Sequence, residues 1–226
     1  MANAIILHRR RVETVQPGEQ GFTTNGVFVA PYSTMYYVHM ALSNRAAGSG
    51  GRGGDAYGDN DTSLVYGGGG GGGGGGVYSN PYIDFAIKLT KGESYNITVN
   101  IDYISLGSIA TAATGTAAAN GNATSTYVGG AGGARQGEYT ISAPDGWTGA
   151  NLDTAVSGAK GNNGTYGSFS GTGGAGGAGG ATGGGKGGQG GSGKIFSGGY
   201  QRGSAGSSGS VAATTGSITI SWGGNT

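Results

Sequence analysis

The sequence contains no cysteine. Disulfide scaffolds, thiolate metal sites and cysteine nucleophiles are thereby excluded. Only 4 of its 226 residues are proline, 10% are charged, and the formal net charge is +1. Ordinary disordered chains are charged or proline-rich, so this composition does not read as simple disorder. No apolar run approaches the ~18 residues of a membrane span, and no membrane insertion is expected. Ile5, Ile6 and Leu7 precede His8 and Arg9, Arg10 and Arg11, the reverse of a secretory leader's order. The expectation is a soluble protein or a part of a soluble particle. Hydrophobic residues other than glycine make up 35%, modestly below a like-for-like norm of roughly 40%.

Glycine is what the sequence has in excess: 57 residues, about a quarter of the chain against a usual ~7%. Glycine has no side chain to bury, so a core can form only where strands supply one. Strand signals are present. Val27, Phe28 and Val29 end at Pro31, and residues 35–42 form a second apolar run. Ile83, Phe85, Ile87 and Leu89 alternate with smaller or polar residues, Lys91-Gly92-Glu93 turns the chain, and Tyr95, Ile97, Val99, Ile101 and Tyr103 alternate again. Period two on both sides of a glycine turn predicts an antiparallel hairpin over 82–90 and 94–104, its apolar face buried. A last strand ends at Trp222. Residues 105–157 give no clear reading. Glycine costs a helix roughly 1 kcal/mol per residue relative to alanine, so helix is not expected.

The glycine falls in two regions. Residues 67–76 are an unbroken run of ten. Glycine also occupies 158, 161, 164, 167, 173, 176, 179, 185, 188 and 191, one phase of period three broken only by Ser170 and Thr182. Three readings suit this pattern. Collagen needs abundant proline, and 158–193 contains none. A flexible linker has no reason to come in pieces of matched length. Polyglycine II is a left-handed helix of three residues per turn without internal hydrogen bonds, whose backbone groups can pair with several neighbouring rods. The pieces 158–169, 171–181 and 183–193 each span roughly 35 Å at a ~3.1 Å rise, which favours aligned rods. The predicted fold is mainly β with an irregular glycine-rich region: short antiparallel strands, with Trp222, clamping a polyglycine II bundle. Residues 1–21 form a docking arm and 22–226 the glycine-rich domain.

Together, the strand ending in Val29-Ala30-Pro31, the ten-glycine run, the strand–turn from Leu89 to Val99, the repeated Gly-Gly-X and the closing segment from Gly216 to Gly224 resemble the glycine-rich domain of phage tail proteins. The bundle is also similar to distal adhesins of some T-even-type phages, which sit on a fibre tip and bind bacterial surface receptors. The resemblance implies a virion location, other tail proteins as partners, and host binding. A homo-oligomer is compatible with it. A purely structural tail component, assembling through the arm, is the alternative.

Catalysis has little support. His8 lies in the arm and His39 between Val38 and Met40, both read as structural. The glycine run lacks the Gly-Lys-Ser/Thr ending of a phosphate loop. Residues 53–61 resemble a calcium loop but lack the spaced glutamate, so a turn is expected. No cofactor or metal is implied. Arg52 in a single Gly-Gly-Arg-Gly-Gly gives little pull on nucleic acid, and no nucleic-acid partner is expected. Ice binding lacks an in-register Thr/Ala ladder. Rods cannot recognise a receptor specifically, so side chains on connecting loops must do so. If the three pieces run up, down and up, Ser170 and Lys194 share an end, away from Thr182. That end gathers Tyr166, Phe169, Phe196 and Tyr200, the expected receptor-binding residues, since aromatics lead at recognition surfaces. Ile5, Ile6, Leu7, Arg9, Arg10 and Arg11 are the expected docking residues of the arm.

Overall fold

The computed structural model describes residues 13–55, 57–59, 63–65, 72–75, 81–124, 128–152, 157–164, 170–171, 174–180, 184–186, 193–194 and 203–224. Its strands, in chain order, are β1 (Gly18–Phe22), β2 (Gly26–Val29), β3 (Thr34–Ala41), β4 (Tyr57–Asp59), β5 (Ser63–Val65), β6 (Tyr82–Leu89), β7 (Ser94–Val99), β8 (Tyr103–Leu106), β9 (Ala110–Ala113), β10 (Thr140–Ser142), β11 (Thr148–Ala150), β12 (Ser170–Gly171), β13 (Gly193–Lys194) and β14 (Ser217–Trp222). No helix occurs among the described residues. The protein is all-β, with two five-stranded antiparallel sheets ordered β1-β14-β3-β6-β11 and β10-β9-β8-β7-β2.

The apolar faces of the two sheets close on each other. Tyr36, Val38, Met40, Ile83, Phe85, Ile218 and Ile220 from the first sheet join Phe28, Ile97, Val99, Ile104 and Leu106 from the second in one buried cluster. Burying each such side chain stabilises by about 1.5–3 kcal/mol. Phe28 meets Tyr36 edge-on across the sheets, with ring centroids 5.6 Å apart. Trp222 completes this group, 5.6 Å from Tyr36 and 6.0 Å from Phe28. Its indole lies over Gly18, where an added Cβ would come within 2.4 Å of the ring.

This arrangement corrects the predicted hairpin. Of the residues expected on the buried face, Ile83, Phe85, Ile97 and Val99 are buried while Ile87 and Ile101 are only half-buried. The expected strand over 94–104 is broken at 100–102 into β7 and β8, and β6 and β7 do not pair. β6 pairs with β3 and β11, and β7 with β2 and β8. The turn between them carries the chain from one sheet to the other. It bonds instead to the loop after β2: Gly92 N donates to Ala30 O at 2.8 Å and Ala30 N to Glu93 O at 3.0 Å. A second correction concerns the clamp. The apolar faces and Trp222 pack within the sandwich rather than on the glycine segments. The last residues of the expected arm, 18–21, lie in the edge strand β1.

The connections are polarised. β3 ends at Ala41, β6 begins at Tyr82, β11 ends at Ala150 and β14 begins at Ser217, all in one row of the first sheet. In the second sheet β9 ends at Ala113, opposite the start of β10 at Thr140. Ser43 Oγ donates to Asn100 O at 2.6 Å, tying the two rows together. All six crossings between the sandwich and the glycine-rich excursions therefore fall at one end. Gly18, where the N-terminal segment enters, pairs with Trp222 at the other.

A polar joint lines the crossing end. Gln136 and Ser43 are fully buried. Gln136 Oε1 accepts from Arg45 N at 3.2 Å, Ser43 Oγ accepts from Gly216 N at 3.0 Å, and Tyr139 donates its hydroxyl to Ser43 O at 2.7 Å. Burial pushes the Tyr139 phenol up to about 12, despite a hydrogen bond with Gln136 that pulls the other way. Burial, followed by the hydrogen bond to Glu93, likewise raises Tyr95 to about 12. An unfolded tyrosine ionises near ~10, so the folded state holds these protons more tightly. Their contribution is complete below pH ~10 and is lost as pH rises from ~10 to ~12. Tyr139→Phe is expected to cost about 0.5–1.5 kcal/mol at neutral pH, the worth of one hydrogen bond. It should also flatten the alkaline fall in stability, which urea unfolding at pH 9 to 12 will measure.

Candidate functional site

Three excursions leave the sandwich. Their described parts are joined by backbone hydrogen bonds with a three-residue rhythm. Ala119 N donates to Ala134 O and Asn122 N to Ala131 O, while Gly137 N donates to Thr116 O. Each pairing moves three residues forward on one segment and three back on the other. Ala159 N to Ala178 O and Asn162 N to Ala175 O repeat the pattern antiparallel, as do Gly158 N to Gly133 O and Gly161 N to Gly130 O. Gly121 N to Ser49 O and Thr124 N to Arg52 O repeat it in parallel. Burial follows the same step: Gly174, Gly177 and Gly180 are buried, with Ala175 and Ala178 exposed. The buried phase here is the neighbour of the one marked by 173, 176 and 179, since both phases are glycine in this stretch.

Residues 72–75, from the ten-glycine run, lie at the middle of this network and are buried. Gly72, Gly73 and Gly74 donate to Ala159, Gly185 and Ala119, and their carbonyls accept from Gly133, Gly180 and Gly48. Gly75 O then accepts from Gln136, three residues beyond Gly133 on the same segment. Four residues thus contact six segments, and the direction of bonding returns after three. No side chain fits there. An added Cβ would lie 1.9 Å from Ala178 O at Gly72, 2.0 Å from Gly48 O at Gly73 and 1.8 Å from Ala134 O at Gly74.

No protein-family model matches the chain, and no curated protein matches its sequence. The site is therefore read from its own geometry.

Residues 158–162 and 174–178 run antiparallel, and Ser170 pairs with Lys194. Those are the relations that an up, down and up course requires. Thr182 and the four expected receptor-binding aromatics, Tyr166, Phe169, Phe196 and Tyr200, lie outside the described residues, as do Ile5, Ile6, Leu7, Arg9, Arg10 and Arg11. In the loop with calcium-like spacing, Asp55 Oδ1 takes Arg52 at 2.5 Å and Gly203 N at 2.8 Å, so its carboxylate bridges two glycine-rich segments. His39, read as structural, lies on the outer face of β3 and bonds Asp84 through Nδ1 at 2.7 Å. The joint residues Gln136 and Tyr139 escaped sequence reading, because a lone polar residue in a glycine-rich stretch carries no pattern.

Proposed function

We propose that the protein is a non-enzymatic component of a phage tail that binds the host surface, with its glycine segments forming a polyglycine II bundle. The observation that carries this reading is the three-residue return of bonding direction around residues 72–75, shared among six segments. A left-handed helix of three residues per turn sends successive N–H groups outward ~120° apart, as such a pattern needs. Polarity supports an adhesin in particular. The N-terminal segment enters the sandwich at the end opposite the rods, so one end can dock to other tail proteins while the other presents loops to a bacterial receptor.

Binding without catalysis suits the sandwich as well. Thr219, His39 and Asp84 stand in one row across β14, β3 and β6. These are interior strands, whose amides are committed to ladders on both sides and are not available to hold an oxyanion.

The test uses purified protein and the bacterium on which the phage propagates. The protein is expected to adsorb to those cells and to block phage adsorption in a dose-dependent way. Incorporation into particles without any cell binding would leave only the structural role. Removing residues 1–12 is expected to abolish incorporation while the thermal transition is kept. Normal incorporation of the truncated chain would dismiss the docking role of the arm.

A further inference from the structure

The outer face of the first sheet carries a second candidate site, far in sequence from the loop aromatics. A groove of about 450 Å³ crosses β1, β14, β3, β6 and β11 there. It is within the ~300–1,000 Å³ range of small-ligand sites. The side chains that matter are Glu19, Tyr37, His39, Asp84, Thr148 and Thr219. Four of them stand in one cross-strand row, in the order Thr219, His39, Asp84, Thr148. Tyr37 stands two residues before His39 along β3, on the same face, and is 38% exposed.

We infer that this groove binds a neutral saccharide. The imidazole of His39 is fixed from two sides, by Asp84 Oδ1 at 2.7 Å and by the Tyr82 ring with centroids 5.2 Å apart. That bond engages one oxygen of Asp84 and leaves Oδ2 to accept from a ligand. Glu19 enters no ion pair among the described residues. Ionised carboxylates only accept hydrogen bonds, whereas hydroxyls both donate and accept. The ligand must therefore bring several donors. An apolar ligand would strip water from two carboxylates and from the hydroxyls of Thr148, Thr219 and Ser221 without replacing their bonds, at a cost. A phosphate or an acidic sugar would meet two acids against one imidazole. A divalent cation lacks ligands, since no group of three His, Cys, Asp or Glu side chains comes together among the described residues. A sugar ring satisfies both demands, with hydroxyls for the carboxylates and a C–H face for the tyrosine ring, which is an apolar surface with a wet edge. The middle of the groove floor, β14, β3 and β6, consists of interior strands, while Glu19 and Thr148 reach it from the edge strands β1 and β11.

Saturation-transfer NMR on the full chain tests this without reference to phage or host. The probes are the methyl glycosides of glucose, galactose and N-acetylglucosamine, each at ~10 mM, enough to populate a site of millimolar Kd. Transfer to ring C–H protons of at least one probe is expected. Tyr37→Ala should reduce it roughly tenfold, the equivalent of ~1.4 kcal/mol, and Asp84→Asn should reduce it with unchanged near-ultraviolet circular dichroism. Glucuronic acid should give weaker transfer than the neutral probe. Absence of transfer from all three neutral probes, signals unchanged in both variants, or equal binding of glucuronic acid would each overturn the inference. Failure here would leave the adsorption experiment untouched, because the two read different surfaces.

Discussion

Gly74→Ala is expected to dismantle the glycine network while leaving the sandwich folded. The added methyl would lie 1.8 Å from Ala134 O, and the residue is buried. Relief requires backbone movement, because no flexible side chain stands in the way. Gly74 N is held by Ala119 O at 2.9 Å and its carbonyl by Gly48 N at 2.8 Å. Shifting either neighbour strains bonds to further segments. Overpacked apolar cores lose about 1–3 kcal/mol after side chains adjust, and a site walled by carbonyls is expected to lose more. Hydrogen exchange should accelerate at Gly48, Ala119 and Gly133. The near-ultraviolet signal of Phe28, Tyr36 and Trp222 should persist. Gly21→Ala in β1 is the control, since nothing lies within 4 Å of its added Cβ. Exchange as slow in Gly74→Ala as in the parent would refute the close packing of these segments.

Ile220→Ala is expected to do the reverse and take both parts down together. Ile220 is fully buried on β14, between β1 and β3, facing the second sheet. Truncating a buried isoleucine costs about 2–5 kcal/mol. At ~2–4 °C per kcal/mol for a chain of this size, Tm should fall by roughly 4–20 °C. Among the described residues, the glycine segments bury no large apolar side chain of their own to offset the entropy of ordering them, ~1–2 kcal/mol per residue. They rely on the six crossings that the sandwich holds at one end. Accelerated exchange should therefore spread from the sandwich to Gly48 and Gly133. Thr219→Ala, on the opposite face of the same strand, should stay within about 0.5 kcal/mol of the parent, as surface changes do. A Tm loss as large for Thr219→Ala as for Ile220→Ala would mean that the apolar interface does not dominate stability.

Period-two alternation makes the buried faces legible: Ile83, Phe85, Ile97 and Val99 fall on the apolar side of their strands and are buried. Their partners were not legible. Alternation says that a face must be covered, and a facing sheet covers it as well as a neighbour does. The turn at Gly92 suits a hairpin and a sheet-to-sheet crossing alike, and only its bonds to Ala30 distinguish them. The strands β9, β10 and β11 escaped notice because they are 3 or 4 residues long and built of small side chains such as Ala112 and Gly149. In the glycine regions the period of three could be read directly. Which segment meets which could not, because glycine has no side chain to encode register. The candidate groove was invisible for another reason. Glu19, His39, Asp84, Thr148 and Thr219 come from five separate strands, and only the sheet order brings them together.

The opposed ends of the sandwich also have a mechanical consequence. A pull applied to the glycine segments and resisted at the N-terminal segment would run along the strands rather than across them. β1 meets β14 through five paired residues, from Gly18 with Trp222 to Phe22 with Ile218. Their ladder bonds lie perpendicular to the strands, so such a load shears all of them at once instead of peeling them one by one. A joint loaded in shear yields only when its bonds fail together. The same fold pulled sideways, at the edge of β1, would open like a zip.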